Sequence, residues 1–260
     1  MLTAIGKVVT SSLRQVGEIT VFGVRAIIEA FRPPFEVSEL TRQVYEIGWR
    51  SIPLISASGF AVGTVLAMHT RSSLERFGAE AMIPAGLAIA LVRETGPLTT
   101  GLLLSGRVGA GIGAELGGMK VTEQIDALES LAVDSFKFLV VTRILACMIA
   151  LPLLTTLMNF TGIFGGFLAE KFVTGISLQL YYERAFSLIE FSDYITATAK
   201  TIVFGFIIGT ISSYLGFHTT GGSEGVGRAA TRSVVMSSIL LILANVVLVK
   251  LIFFFFPQGG

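Results

Sequence analysis

An apolar stretch at residues 81–106 carries two adjacent charged residues, Arg93 and Glu94, near its middle. As a helix, a stretch of this length reaches about 39 Å, which is enough to cross a hydrocarbon core of roughly 30 Å. A charged side chain at the centre of a bilayer costs about 3 kcal/mol, so such residues normally face a bundle interior or a wet cavity. The stretch therefore predicts a membrane-spanning helix whose charged pair faces away from lipid.

The two charges are poorly placed to pair with each other, because adjacent residues on a helix point about 100° apart. We expect them to find partners on other helices. Pro97 has no N–H to offer the carbonyl of Arg93, so it frees that acceptor and favours a kink. Lys200, inside another predicted span, is the natural partner of Glu94, or else it extends to the membrane interface. Two interpretations follow: a structural ion pair between helices, or the lining of a pathway for a substrate with a charged group.

Composition restricts the class of protein. The chain has 260 residues, of which 52% are hydrophobic and 14% charged, and its mean hydropathy is +0.77. These values exclude a soluble domain and are typical of helical membrane proteins with several spans. The net charge of +1 does not suggest nucleic-acid binding, and the single cysteine, Cys147, excludes an internal disulfide. No nucleophile with a nearby base and no metal-ligand set can be assembled, so we expect no enzyme activity in this chain.

We therefore expect an all-α polytopic membrane protein with two regions. Residues 1–48 form interfacial helices, and residues 49–257 form a transmembrane domain of five helices. The predicted spans are residues 51–69, 81–106, 138–168, about 194–217 and about 234–256. In the first span, Gly59 and Gly63 form a GxxxG pattern, which marks either close helix contact or a chance match in a glycine-rich chain.

Residues 1–32 have the pattern of an amphipathic helix. One polar stripe consists of Lys7, Ser11, Arg14, Glu18, Arg25, Glu29 and Arg32. Such a helix lies along the membrane surface with its apolar side in the acyl boundary. Pro33 and Pro34 end this helix, and residues 36–48 form a short second helix that leads to Trp49.

Two glycine-rich segments separate the spans. The first, residues 106–118, precedes a compact amphipathic helix at residues 122–132, for which Thr122 is the predicted N-cap. We interpret this helix as a docking element for a cytoplasmic partner, since a plain connector needs only a few residues. The second segment, residues 218–232, lacks the Gly-Lys-Ser/Thr ending of a phosphate-binding loop, so it predicts no nucleotide site.

Lysine and arginine counts predict the orientation. With the N-terminus inside, the segments 1–50, 105–137 and 216–232 lie on that side and hold eleven of these residues, against four in the opposite segments 70–81 and 168–194. The positive-inside rule therefore favours a cytoplasmic N-terminus, and five spans then place the C-terminus outside.

Two long motifs carry a resemblance to a known family. They are LVRETGPLTTGLLLSGRVGAGIGAELGGMKVTEQIDALESLAVD at residues 91–134 and TTGGSEGVGRAATRSVV at residues 219–235. Together they resemble the MlaE family of permeases, the membrane subunits of bacterial ABC transporters that move phospholipid between the inner and outer membranes. The similarity spans roughly residues 40–250. Two motifs of this length in this order are far more specific than any short pattern in the chain.

The resemblance implies a homodimer in the bacterial inner membrane with a lipid cavity at its twofold axis. Arg93, Glu94 and Lys200 match the family's lipid-cavity positions. The resemblance also implies that residues 115–132 form a coupling helix seated on an ATPase. Its expected coupling residues are Glu115, Lys120, Glu123, Asp126 and Glu129.

The partners that the resemblance implies are two cytoplasmic MlaF-like ATPase subunits, an MlaB-like STAS-domain protein and a periplasmic MlaD-like MCE protein. ATP and Mg²⁺ would be held by the ATPase, and this chain is expected to hold no cofactor. Two other functions stay open. One is an ion-coupled secondary transporter that uses Glu94 as a proton carrier, although the sequence has no inverted repeat. The other is a non-transporting membrane anchor for an ATPase, which predicts no bound lipid in the purified protein.

Overall fold

A computed structural model describes the backbone of residues 2–255 and the side chains of residues 10 and 14–254. All regular structure in this part of the chain is helical, as predicted. The helices are α1 Leu2–Ala30, α2 Val37–Trp49, α3 Ile52–Leu74, α4 Ile83–Ala90, α5 Gly96–Leu104, α6 Ala110–Val121, α7 Gln124–Ser130, α8 Thr142–Thr174, α9 Leu178–Phe186, α10 Phe191–Phe217 and α11 Gly222–Phe255. Three π-helical turns, Leu91–Thr95, Ser105–Gly109 and Phe136–Val141, continue the helical path.

Five helical stretches of the described chain are long and apolar enough to cross a membrane. They are Val37–Phe77, Glu80–Val121, Phe136–Thr174, Phe191–Phe217 and Gly222–Phe254. The number agrees with the five predicted spans, and each predicted span lies within or largely within one of these stretches.

Of the two glycine-rich segments, the second, interpreted from the sequence as a loop at residues 218–232, differs from the prediction. The first continues the second span as helix, and the second is helical from Gly222 onward, so the predicted loop at 218–232 is largely wrong. The reason is close packing. A Cβ on Gly113 would collide with Ser233, and one on Gly117 would press against Thr219. Glycine disfavours an isolated helix, but here it permits helices to approach closely, and tertiary contact overrides propensity.

The N-terminal helices follow the predicted order. Helix α1 buries Phe22 and Ala26, whereas Val21 and Ile28 on its other sides are exposed. Exposed apolar side chains suit the predicted position at the membrane interface, which stays a prediction. The side chains of Lys7 and Ser11 in the polar stripe, and Phe256 at the end of the fifth predicted span, lie outside the described part of the chain. Helix α2 matches the predicted second helix within one residue at each end.

The described chain divides into two compact units. The first comprises the residues up to Val44 together with Ser105–Cys147 and Gly205–Ser238. Its interior includes an aromatic group in which the Phe22 ring lies 5.0 Å from that of Phe136 and 5.5 Å from that of Tyr214, both edge to face. These contacts fix α1 against the rest of this unit.

The second unit comprises Tyr45–Leu104, Met148–Phe204 and the residues from Ile239 onward. Its main apolar core is formed by Ala67, Leu87, Ala88, Leu91, Ile163, Phe167, Tyr181 and Ala185. A Cβ on Gly63 would overlap the backbone of Gly162, and one on Gly59 would collide with Met158 and Thr161. The GxxxG pattern therefore marks a close contact between α3 and α8.

Candidate functional site

Five polar side chains of the second unit form one hydrogen-bonded group, which we call the charged cluster: Arg93, Glu94, Asp193, Lys200 and Asn245. Arg93 Nη2 donates to Asp193 Oδ2 at 2.9 Å, and Lys200 Nζ donates to Glu94 Oε1 at 2.7 Å. Asn245 Nδ2 donates to Glu94 Oε2 at 3.1 Å. The prediction that Arg93 and Glu94 find partners on other helices is confirmed, because these partners lie on α10 and α11.

The backbone around the charged pair is also adapted to this arrangement. Lys200 Nζ donates to the carbonyl oxygen of Arg93 at 2.8 Å, in addition to its bond with Glu94. This carbonyl is the acceptor that Pro97 was predicted to free. The chain forms a π-helical turn over Leu91–Thr95, a feature that is frequent at functional sites. A buried lysine thus donates to the carbonyl from which the proline removes the usual i+4 donor.

The cluster combines buried groups with accessible ones. The side chains of Asp193 and Lys200 are each 2% exposed, whereas those of Arg93 and Glu94 are 34% and 45% exposed. Lys200 therefore does not extend to the membrane interface. Within the described residues, Arg93 Nε and Asn245 Oδ1 are buried without a hydrogen-bond partner. The buried charges hold the accessible ones in position, and one donor and one acceptor stay uncommitted.

A small cavity of about 30 Å³ lies beside the cluster. Its walls are partly polar, from the cluster and Thr196, and partly apolar, from Val249, Ile252 and Phe253. A cavity of this size has room for only one or two water molecules. One copy of the chain therefore offers a polar anchor beside an apolar wall, but no room for a large substrate.

Asp193 and Asn245 are members of the cluster that the sequence patterns did not single out. Asp193 precedes the predicted fourth span by one residue, where an acid is equally consistent with a residue at the membrane interface. Asn245 carries the only amide side chain in α11. A single amide inside a long apolar helix is costly in lipid, and that signal could have identified it.

The residues predicted to contact an ATPase lie in the first unit, and Glu115 differs from the rest. Its carboxylate accepts a hydrogen bond from Arg143 Nη2 at 2.8 Å. The side chain of Arg143 is 1% exposed and also donates from Nη1 to the carbonyl oxygen of Leu139 at 2.8 Å. Glu115 therefore serves as the only carboxylate partner of this buried guanidinium among the described residues.

The other four predicted coupling residues lie in α7 or just before it. Lys120 Nζ donates to Asp126 Oδ1 at 2.8 Å, which ties α7 to the end of α6. Glu129 accepts from the hydroxyl of Ser135 at 2.5 Å, and Glu123 is exposed. Leu131, directly after α7, is 76% exposed. The element therefore presents acidic groups and one large apolar side chain together.

The predicted N-cap of this helix is wrong. Thr122 ends α6, and its hydroxyl donates to the carbonyl oxygen of Gly118 at 2.8 Å. A threonine hydroxyl can bond back one turn, and it does so here instead of capping the next helix. Glu123 and Ala132, which flank α7, have φ angles of 58° each. These left-handed residues make the sharp turns that confine α7 to residues 124–130.

Comparisons with known proteins agree with this architecture. The model of the family described as "Permease MlaE" matches residues 40–251. A probable ABC transporter permease of Rickettsia bellii is 38% identical over 250 residues, covering 96% of both chains. The intermembrane phospholipid transport system permease protein MlaE of Haemophilus influenzae is 31% identical over 255 residues, covering 97% of both.

A further relative is the chloroplast protein TRIGALACTOSYLDIACYLGLYCEROL 1 of Arabidopsis thaliana. It is 34% identical over 219 residues, which cover 84% of this chain and 62% of the plant protein. Permease subunits of ABC transporters lack catalytic activity themselves and work with a separate ATPase, which agrees with the predicted absence of enzyme activity. The family model matches most of the chain, and the described residues include five candidate spans. This multi-pass membrane protein therefore belongs to the MlaE family of ABC transporter permeases.

Proposed function

We propose that this permease moves phospholipids between the inner and outer membranes of a bacterium and receives the lipid headgroup at the charged cluster. The observation that supports this most is the accessibility of Arg93 and Glu94 beside the buried Asp193 and Lys200. Arginine and lysine suit a phosphate, and a carboxylate can orient them. The apolar wall formed by Val249 and Ile252 would contact the acyl chains.

We also propose that two copies share the lipid cavity. The cavity of one copy, about 30 Å³, is far smaller than the several hundred Å³ that ligand sites usually occupy. Helix α11 supplies part of the cavity wall and carries a row of exposed apolar side chains, which are Ile239, Leu243, Val246 and Val247. A second copy packed beside this helix would enlarge and enclose the site.

The proposed complex contains two cytoplasmic MlaF-like ATPases that hold ATP and Mg²⁺, an MlaB-like STAS-domain protein and a periplasmic MlaD-like MCE protein. The permease would lie in the bacterial inner membrane with its N-terminus in the cytoplasm. Helix α7 would then face the ATPase, whose closure would reshape the lipid cavity.

The lipid role of the cluster is tested by Arg93→Ala and Glu94→Ala in the reconstituted complex. We expect each to lower ATP-driven phospholipid transport about tenfold and to weaken binding of phospholipid at the charged cluster, as followed by native mass spectrometry. Arg93→Ala removes a charge-assisted hydrogen bond to the headgroup phosphate, and Glu94→Ala removes the carboxylate that orients Lys200. The matched controls are Arg50→Ala and Glu46→Ala, which break an ion pair of 2.8 Å in the same unit. Unchanged transport and lipid content in both cluster variants would leave the charges a purely structural role.

The same assay separates the alternatives. Transport that persists without ATP or the ATPase, and that is lost in Glu94→Gln, would assign an ion-coupled mechanism. A purified complex without phospholipid, in a preparation that still binds the ATPase, would assign a non-transporting anchor.

The docking role of α7 is tested by the double reversal Glu123→Lys with Asp126→Lys. Co-purification of the ATPase should fall about tenfold, because reversing charges in an interface creates repulsion. The fold should tolerate the change, since the Lys120–Asp126 pair is half exposed and such pairs contribute about 0–1 kcal/mol. Glu75→Lys, an exposed acid in a segment predicted to lie on the opposite side, is the control. An unaltered complex would contradict the docking role.

A further inference from the structure

Another cavity lies in the first unit. It is an open groove of about 550 Å³ along α1. Its apolar floor is formed by Gly17, Val21 and Phe22, and its rim carries Arg14, Glu18 and Arg25. Arg14 and Arg25 are eleven residues apart, which places them three helical turns from each other on the same face of α1.

The groove is a fixed feature of this unit. The Phe22 ring in its floor contacts the rings of Phe136 and Tyr214 edge to face. Phe22 is 9% exposed and Tyr214 is 8% exposed, so both are anchored in the interior. The Phe22 part of the groove is therefore anchored by packing within this unit.

The one carboxylate of the groove is already neutralised. Glu18 accepts a hydrogen bond from the Tyr214 hydroxyl at 2.7 Å and one from Arg14 Nε at 3.0 Å. These two bonds, the Tyr214 bond first, lower the pKa of the Glu18 carboxyl below its usual value. Glu18 and Arg14 thus cancel each other at one end of the rim.

Arg25 is the remaining charged residue of the groove rim. Its guanidinium carbon lies 4.2 Å from the centre of the Phe136 ring, and no carboxylate of the described residues lies within ion-pair distance of it. Two acids line the neighbouring cleft together with Arg25 and are hydrogen-bonded to other groups: Glu129 accepts from Ser135, and Asp134 accepts from the backbone N–H of Lys137. Stacking on a ring occupies the face of a guanidinium and leaves its N–H edge free for an anion.

We propose that this groove binds one anionic phospholipid of the leaflet in which α1 lies, with the phosphate on Arg25 and an acyl chain along Val21 and Phe22. An amphipathic helix at the interface brings the groove to headgroup depth, where a phosphate and an acyl chain meet. A guanidinium without an ion-pair partner among the described residues favours an anionic over a zwitterionic lipid. The site rests on the membrane placement of the chain and not on the proposed transport of lipid.

The test uses the purified complex and native mass spectrometry with added phosphatidylglycerol or phosphatidylcholine. Phosphatidylglycerol should bind more tightly, and Arg25→Gln should weaken its binding about tenfold. Arg32→Gln removes the same charge just after the end of α1, outside the groove, and should not change phosphatidylglycerol binding. Val21→Trp, a change at an exposed position that fills the groove, should displace the lipid while leaving Arg25 in place.

Equal binding of the two lipids, or binding that survives both Arg25→Gln and Val21→Trp, would overturn the proposal. Inorganic phosphate at millimolar concentration should not displace the lipid, and displacement would assign the site to a free anion. The lipid should remain bound in Glu94→Ala. Its loss in that variant would assign it to the charged cluster, so failure of this site and failure of the proposed transport function give different results.

Discussion

Replacing Glu94 by leucine is expected to destabilise the protein by about 3 kcal/mol, because it leaves the buried ammonium of Lys200 without its carboxylate partner. Removing the other partner of the pair, by Lys200→Met, should lower the free energy of unfolding by less. The Lys200 side chain is 2% exposed, whereas that of Glu94 is 45% exposed and can be solvated when the lysine is removed. The two single variants of one ion pair are therefore expected to differ, and the free energy of unfolding in detergent measures the difference.

The double variant, Glu94→Leu with Lys200→Met, separates stability from function. Removing both charges should restore most of the lost stability, since an apolar pair can replace a buried ion pair at little cost. Transport should stay at least about tenfold below wild type, because two of the three groups proposed to form the headgroup site are absent. Recovery of transport together with stability would show that the pair only holds the helices together.

Replacing Glu115 by leucine is expected to cost about 3 kcal/mol of folding free energy, because it strands the buried guanidinium of Arg143. Its Nη2–Oε1 bond of 2.8 Å joins α6 to the start of α8, and the arginine side chain is only 1% exposed. Replacing a residue that only contacts the ATPase would instead weaken docking and leave the stability of the permease unchanged. Thermal unfolding of the permease alone, without the ATPase, distinguishes the two roles.

Asp126→Leu is the matched control for this experiment. Asp126 is 54% exposed and pairs with a half-exposed lysine, so its loss should change stability by less than about 1 kcal/mol. Equal stability of Glu115→Leu and Asp126→Leu would contradict the anchoring role of Glu115. A large loss of stability in Glu115→Leu would distinguish Glu115, as an anchoring residue, from the other four predicted coupling residues.

The sequence was sufficient for the helical class, the number of spans and the family. These features depend on local patterns: apolar length, the amphipathic stripe of residues 1–32 and two long motifs. It was also sufficient to select Arg93, Glu94 and Lys200, because a charge in an apolar run carries a large cost wherever it lies. Their assignment as lipid-binding residues stays a proposal.

Only the tertiary structure decided which groups meet. Asp193 and Asn245 complete the cluster, and Arg143 pairs with Glu115. These contacts form because helices that are distant in sequence pack together, and the periodicity of a sequence does not show which helices are neighbours. The same reason explains the second glycine-rich segment, where the sequence favoured a loop and close packing stabilised a helix. Local chemistry thus determined which residues need a partner, and the packing of the helices determined which partner each of them has.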